Sequence, residues 1–403
     1  MLSAMHPSAG PLTRLRREHE ELVLSLLRKH GPLSRGELGT RCGLSRTTLY
    51  DIVGDLIANG AVVAAVPLAE ERRRGRPVEK LSLNPDAGHA LGIDFARRAV
   101  HVAAVNVAHE IVGSASEQHA PDLSWEERVR VAERLVGTLT GGALRLGALG
   151  AIGVGVVGPI GAPGDRTAGG RRLDVLSELL RKSFGVPVLL DNNTRLAALA
   201  EATWGAAADD ADVLYLRVSH GVGGGLIVGG SLHRGAFGLS GELGHVTAVP
   251  SGAPCECGGA GCLETVASVG AVLDAYRTAG GRADDLAAFH EALAAGDAAA
   301  RAVLAVAGAH IGTVLAAVCN AIGPGVIVIG GELARTGEAL TEPVEKALAA
   351  HIMPASRDRV VLRNATLGAT GGALGAIALV LHESPLLSHY PAEADPEDES
   401  CDA

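Results

Sequence analysis

The chain has 403 residues, 47% hydrophobic and 20% charged, which excludes a disordered protein and leaves room for two or three domains with a large core. Residues 1–84 hold 13 Lys+Arg against 9 Asp+Glu, and the remainder 22 against 36, so a basic head precedes an acidic body and any nucleic-acid contact is confined to the head. Aromatics are only 2%, so a site for a hydroxyl-rich ligand must rest on hydrogen bonds more than on stacked rings.

A first helix is expected from about Leu12 to His30, closed by Gly31-Pro32. Ser34 and Glu37 form a capping box that opens a second helix, reaching about Cys42. Gly43 makes a turn, and Ser45 caps a third helix through Asn59, with Leu49, Ile52, Val53 and Leu56 on its inner face. Arg46, Thr47, Thr48 and Tyr50 are left at its exposed start. Such a pair of helices is a helix-turn-helix, whose second helix meets base edges in a major groove. Two strands follow, 61–66 and 78–83, around a tip carrying Arg72, Arg73, Arg74 and Arg76. A hairpin with a basic tip is a wing that grips phosphates or enters a minor groove. The residues expected at double-stranded operator DNA are thus Ser34, Ser45, Arg46, Thr47, Thr48, Tyr50 and the four wing arginines. The bland alternative is a helical interaction module with a solvated charge run.

From Ala90 the pattern changes to α/β. Strands are expected at 91–95 and 100–107, a helix at about 125–139, a buried strand at 151–157, a helix at 176–184, a strand at 186–190 and a helix at 194–205. The theme then restarts with strands 212–218 and 223–228, helices at about 268–278, 283–295 and 297–319, strand 326–329 and helix 371–381. Two such rounds suggest two lobes with a cleft between them. The apolar stretch from Ile311 to Gly331 is broken by Asn320 and Pro324 and reads as a buried helix and strand, so no membrane span is expected. A polar, soon charged N-terminus gives no sign of a signal peptide, and a cytoplasmic protein is expected.

Cys255, Cys257 and Cys262 lie within eight residues, ten residues downstream of a Gly-Glu-Leu-Gly-His run that ends at His245. Three thiols and one imidazole complete a tetrahedral zinc shell with no open position, the mark of a structural ion. A disulfide or idle thiols are the alternative, disfavoured where thiols stay reduced. Glu242 and Glu264 flank the ligands, so the ion would hold two carboxylates in place for a ligand rich in hydroxyls.

These motifs resemble the ROK family of sugar kinases and transcriptional regulators, over about residues 14–382, and the winged head is similar to its regulator branch of xylose and N-acetylglucosamine repressors. The most specific match is Gly241–His245 followed by Cys255–Glu264. The resemblance implies zinc on His245, Cys255, Cys257 and Cys262, and sugar hydroxyls on Glu242, His245 and Glu264, with Asn192 and Asn193 also at the sugar. It implies a winged helix-turn-helix followed by a two-lobed, actin-like and sugar-kinase-like fold. The expected domains are the head at 1–84, lobe 1 at 85–200, lobe 2 at 201–383 with its last helix packed back on lobe 1, and an acidic disordered tail at 384–403. Weaker matches are Gly153–Pro159, Gly221–Gly225 and Asn320–Gly331.

The chain departs from that family's pattern at three places. The phosphate loop of the kinases reads Asp-x-Gly-Gly-Thr; here Asp94 is followed by Phe95, Ala96, Arg97 and Arg98, and Phe95 and Ala96 are expected to bring side chains where backbone should meet phosphate. Their general base is an Asp; here Asn193 stands there, and an amide cannot take a proton near neutral pH. Arg195 replaces a family Asn, and is read either as a contact for an anionic effector such as a sugar phosphate or as a solvated arginine. The expected function is a sugar-responsive repressor, a homodimer or homotetramer with an inactive kinase-like sensor. The alternatives are an active sugar kinase with a DNA-binding head and a regulator controlled by a protein partner.

Overall fold

A computed structural model describes residues 11–58, 60–65, 79–84, 89–106, 110–139, 151–160 and 172–383. The wing arginines Arg72, Arg73, Arg74 and Arg76 and the tail from residue 384 lie outside the described residues.

The head consists of α1 (Pro11–His30), β1 (Leu33–Ser34), α2 (Arg35–Cys42), α3 (Arg46–Ala58), β2 (Val62–Ala65) and β3 (Lys80–Leu83). The capping box is formed: Ser34 Oγ accepts from the Glu37 N–H, and Glu37 Oε2 accepts from the Ser34 N–H at 2.7 Å. Such a cap is worth about 1 kcal/mol. Gly43 turns the chain in the left-handed conformation, and Ser45 Oγ accepts from the Thr48 N–H at the start of α3. Leu49, Ile52, Val53 and Leu56 are buried against Val23, Leu24, Leu27 and Leu38. The three strands pair antiparallel in the order β1-β3-β2, which sets the wing beside the helices.

The body holds two five-stranded sheets of the same topology. Lobe 1 has β4 (His89–Phe95), β5 (Ala99–Asn106), β6 (Ile111–Gln118), β7 (Ile152–Val156) and β8 (Val188–Asn192), in the order β6-β5-β4-β7-β8. Lobe 2 has β9 (Val213–Val218), β10 (Val222–Val228), β11 (Ser231–His233), β12 (Val326–Gly330) and β13 (Val361–Asn364), in the order β11-β10-β9-β12-β13. In each sheet the first three strands form an antiparallel meander and the last two join parallel. Parallel pairing requires crossovers, supplied in lobe 1 by α4 (Trp125–Leu139) and α5 (Leu173–Phe184). In lobe 2, α7 (Glu264–Ala267), α8 (Val269–Thr278), α9 (Leu286–Ala294), α10 (Ala298–Ile322) and α11 (Glu338–His351) fill the same role. By length and composition α10 could cross a membrane, but half of its most apolar window is buried within the protein.

Two helices occupy the space between the sheets. They are α6 (Asn193–Trp204) and α12 (Gly371–Glu383), which pack on each other. The α12 backbone lies directly on β4 and β7, where Gly92 and Gly153 are register partners. A side chain on Gly92 would strike the Ala373 carbonyl, and one on Gly153 the Ala376 carbonyl. Glu201 on α6 is buried and accepts from the N–H groups of Thr366 and Leu367 at 2.9 Å, which fixes the approach to α12.

Candidate functional site at the cleft and the thiol cluster

In the head, Arg46, Thr47 and Tyr50 are exposed on α3, and Ser34, Ser45 and Thr48 serve its caps and that of α2. The Tyr50 ring is 46% exposed, with the guanidinium groups of Arg35 and Arg46 at 5.3 and 5.6 Å from its centroid. Arg35 is also paired with Glu79 beside β3. Arg35, Arg46 and Tyr50 are thus held against one another on the exposed face of the head, an arrangement that lowers the entropy lost if that face binds a partner.

In the body, the chain from Gly241 to His245 is laid onto β10 by close backbone approach. A side chain on Gly244 would strike the Val222 carbonyl, and one on Gly241 the Gly224 carbonyl. Residues 243–245 form a single 3₁₀ turn, with Glu242 before it and His245 at its end. Opposite, the segment 255–262 folds as a knuckle: the Cys255 N–H donates to Gly259 O, and the Gly261 N–H to Ala253 O. Gly261 has φ 69° and lies against the Val249 carbonyl, so no other residue fits there.

The result brings His245, Cys255, Cys257 and Cys262 together, with ligand atoms within 4.8 Å of one another. Cys257 Sγ and Cys262 Sγ are 3.6 Å apart, as are Cys255 Sγ and His245 Nδ1. The tetrahedral edge for a Zn–S bond of about 2.3 Å is roughly 3.7 Å, so these two separations match such an edge and the donor set suits a metal ion. Glu264 opens α7 two residues after Cys262, and its Oε2 accepts from the Val222 N–H at 2.8 Å. Glu242 is partly buried, and burial pushes its carboxyl up, against the pull of His245 and Arg195. The two carboxylates and the thiol knuckle therefore meet on one edge of lobe 2.

The lobe 1 side shows where four of the named residues lie, and it corrects the expectations for Phe95 and Arg195. Asn192 is committed to the fold: its Oδ1 accepts from the N–H groups of Thr194 and Arg195, and its Nδ2 donates to Gly158 O at 2.8 Å. Asn193 is 4% exposed and donates to Asp94 Oδ1 at 3.0 Å, so its amide is turned toward that buried carboxyl. Phe95 turns into the lobe 1 core and meets Trp125 edge-on at 5.5 Å; it obstructs no phosphate, and the departure rests on Ala96 and the arginines after it. Arg195 is neither solvated nor available to an anion: it is 2% exposed, paired with Asp191 and hydrogen-bonded to the carbonyls of Gly238 and Ile160.

Asp94 was named in the sequence, but its burial was not. It is 1% exposed, and burial raises its carboxyl above the ordinary value, while His101, Arg217 and the Asn193 amide draw it down. A raised native value means the folded state holds this proton more tightly than the unfolded chain. Its contribution is present in acid and lost as pH rises through the native value. Asp94→Asn keeps an acceptor for Asn193 and never ionises. Its melting temperature should exceed that of the parent at about pH 8 and converge with it near pH 4. Thermal melts at the two pH values check this, and no gain at the higher pH would show that His101 and Arg217 already offset the burial.

Residues 90–383 match the profile of the ROK family, and residues 16–63 that of a winged helix-turn-helix DNA-binding domain. The chain belongs to the ROK family. This ROK protein is 34% identical over 223 residues to a glucokinase of Halalkalibacterium halodurans, across 51% of this chain and 67% of that enzyme. It is 26% identical over 389 residues to the DNA-binding transcriptional repressor Mlc of Escherichia coli, across 91% of this chain and 94% of that protein. A solved ROK family transcriptional regulator, described as a homologue of the E. coli Mlc protein, superposes with a TM-score of 0.78 at 24% identity, over 93% of this chain and 98% of the other. The repressor match spans head and body, whereas the glucokinase match takes in about half of the chain.

Proposed function

We propose that this ROK protein is a cytoplasmic, sugar-responsive transcriptional repressor whose kinase-like body senses its sugar without phosphorylating it. One observation carries the reading: a helix-turn-helix head is fused to a sugar-kinase body in which Asn193, turned toward Asp94, stands at the general-base position. Loss of a general base alone costs about 10²–10⁴-fold in rate. Glu242, His245 and Glu264, together with Asn192 and Asn193, form the sugar contacts. A structural zinc ion on His245, Cys255, Cys257 and Cys262 fixes the two carboxylates. A homodimer or tetramer would set two copies of α3 on two half-sites, and sugar binding would change their spacing.

The test is fluorescence anisotropy of the zinc-loaded chain on labelled DNA from upstream of its own gene, at fixed salt and with a panel of sugars and sugar phosphates. One compound should change operator affinity by about tenfold or more. Arg46→Ala should cost about 1–3 kcal/mol on operator and relax base preference at one position per half-site, while the fold is kept. DNA binding that no compound alters would sink the sensing half of the proposal. The 34% identity to a glucokinase keeps one rival in view: an ADP-coupled assay showing turnover on any sugar would replace a silent sensor with a kinase.

A further inference from the structure

One buried carboxylate and its arginine partner join three segments of the two lobes. Asp191, at the end of β8, is 2% exposed. Its Oδ1 accepts from the Asn192 N–H at 2.6 Å and from Arg195 Nε at 2.7 Å; its Oδ2 accepts from Arg234 Nε at 2.6 Å. Arg195 is buried to the same degree, and its two terminal nitrogens donate to Gly238 O and, at 3.0 Å, to Ile160 O. Arg234 and Gly238 belong to the lobe 2 loop between β11 and Glu242, whereas Asp191 and Ile160 belong to lobe 1. The loop is closed on itself by the Ser240 N–H donating to Arg234 O. Both of its ends are therefore held by residues of lobe 1.

We propose that Asp191 and Arg195 are positioning residues of the effector site: they hold the 234–240 loop, and through it Glu242, in the binding geometry before any sugar arrives. This rests on the reading of Glu242 as a sugar contact. The chemistry demands arginine. Three acceptors lie in three directions around one guanidinium, and the planar fork meets all of them at once; an ammonium on a flexible stem cannot. The same engagement removes Arg195 from any role as an anion contact.

Hydrogen exchange on the zinc-loaded full chain tests the positioning without a ligand. In Arg195→Lys and in Arg234→Gln, whose side chain is partly exposed and can be removed from a folded protein, amides of 234–245 should exchange about tenfold or more faster than in the parent, with α3 and α10 unchanged. Arg134→Gln, on the lobe 1 surface, should leave the loop at the parental rate. The sugar that releases the parent from DNA should bind both loop variants about tenfold or more weakly, with DNA affinity in its absence unchanged. Folded variants whose loop exchanges at the parental rate overturn the proposal. A loosened loop, in a protein whose parent answers to no sugar, supports the positioning role and overturns the effector reading instead.

Discussion

Cys262→Ser protein, purified in the presence of zinc, should carry well under one metal ion per chain and should lose its response to sugar. Cys262 is 3% exposed, pairs with Cys257 at a tetrahedral edge, and sits two residues before Glu264. Its neighbour Leu263 donates to Val246 O, so the knuckle and the Glu242–His245 turn share one backbone register. In small zinc domains the ion contributes about 10–16 kcal/mol, which is folding energy for the loop it closes. The body here has its own core and should survive, but the turn that aims Glu242 and Glu264 should not. Sugar affinity is expected to fall about 100-fold, while operator binding without sugar stays near parental. Cys42→Ser, in the head, should retain its metal. Metal analysis by mass spectrometry and the anisotropy titration provide both readouts. A Cys262→Ser protein that keeps one zinc, or that still responds fully, would end the idea that this ion organises the sugar contacts.

Gly153→Val should fail to give a folded body. Gly153 and Gly92 lie side by side on β7 and β4, and α12 rests on them with no side chain between. A branched side chain at 153 would occupy the place of the Ala376 carbonyl, which is backbone and cannot rotate away. Relief requires lifting α12, which also packs on α6 and seals the space between the sheets. A cost well above about 4 kcal/mol is expected, comparable to the roughly 5–15 kcal/mol that stabilises a typical domain. Gly270, in α8, has open space around it, and Gly270→Ala should be neutral or stabilise by about 0.5–1 kcal/mol. Soluble yield and thermal melts of the two variants give the contrast. A Gly153→Val protein melting near the parental temperature would show that α12 can shift without loss.

What was legible in the sequence was local. The thiol knuckle and its histidine lie within eighteen residues, so spacing alone brings the donors into view. The capping box, the Gly43 turn and the inner face of α3 are likewise written within one or two turns of helix. The repeated strand pairs revealed two lobes. Long-range partners were not legible. Arg195 finds Ile160 and Gly238, 35 and 43 residues away, and nothing beside it in the chain points to either. Phe95 ends β4, a strand buried on both faces, so alternation could not tell which way its ring would point. β6 was not expected because only Ile111 and Val112 favour a strand, and the rest, Gly113 to Gln118, is small or polar on an edge strand that needs little burial. α11 was not expected because Pro343 sits inside it, where a proline ordinarily argues against a helix.

The apolar cluster of the head does not stop at the head. Val23, Leu24, Leu27 and Leu56 belong to one continuous cluster with Ala90, Ala103 and Val105 of the lobe 1 sheet, Ala200 of α6, and Leu374 and Ile377 of α12. The two parts are therefore not modules on a string. A chimera joining this head to another ROK body would cut through that cluster and leave apolar surface on both pieces. New DNA specificity would be transplanted more safely by exchanging the outward residues of α3 alone. If whole heads are swapped, the matching residues of β4, β5 and α12 belong to the graft, and the seam should be drawn behind them.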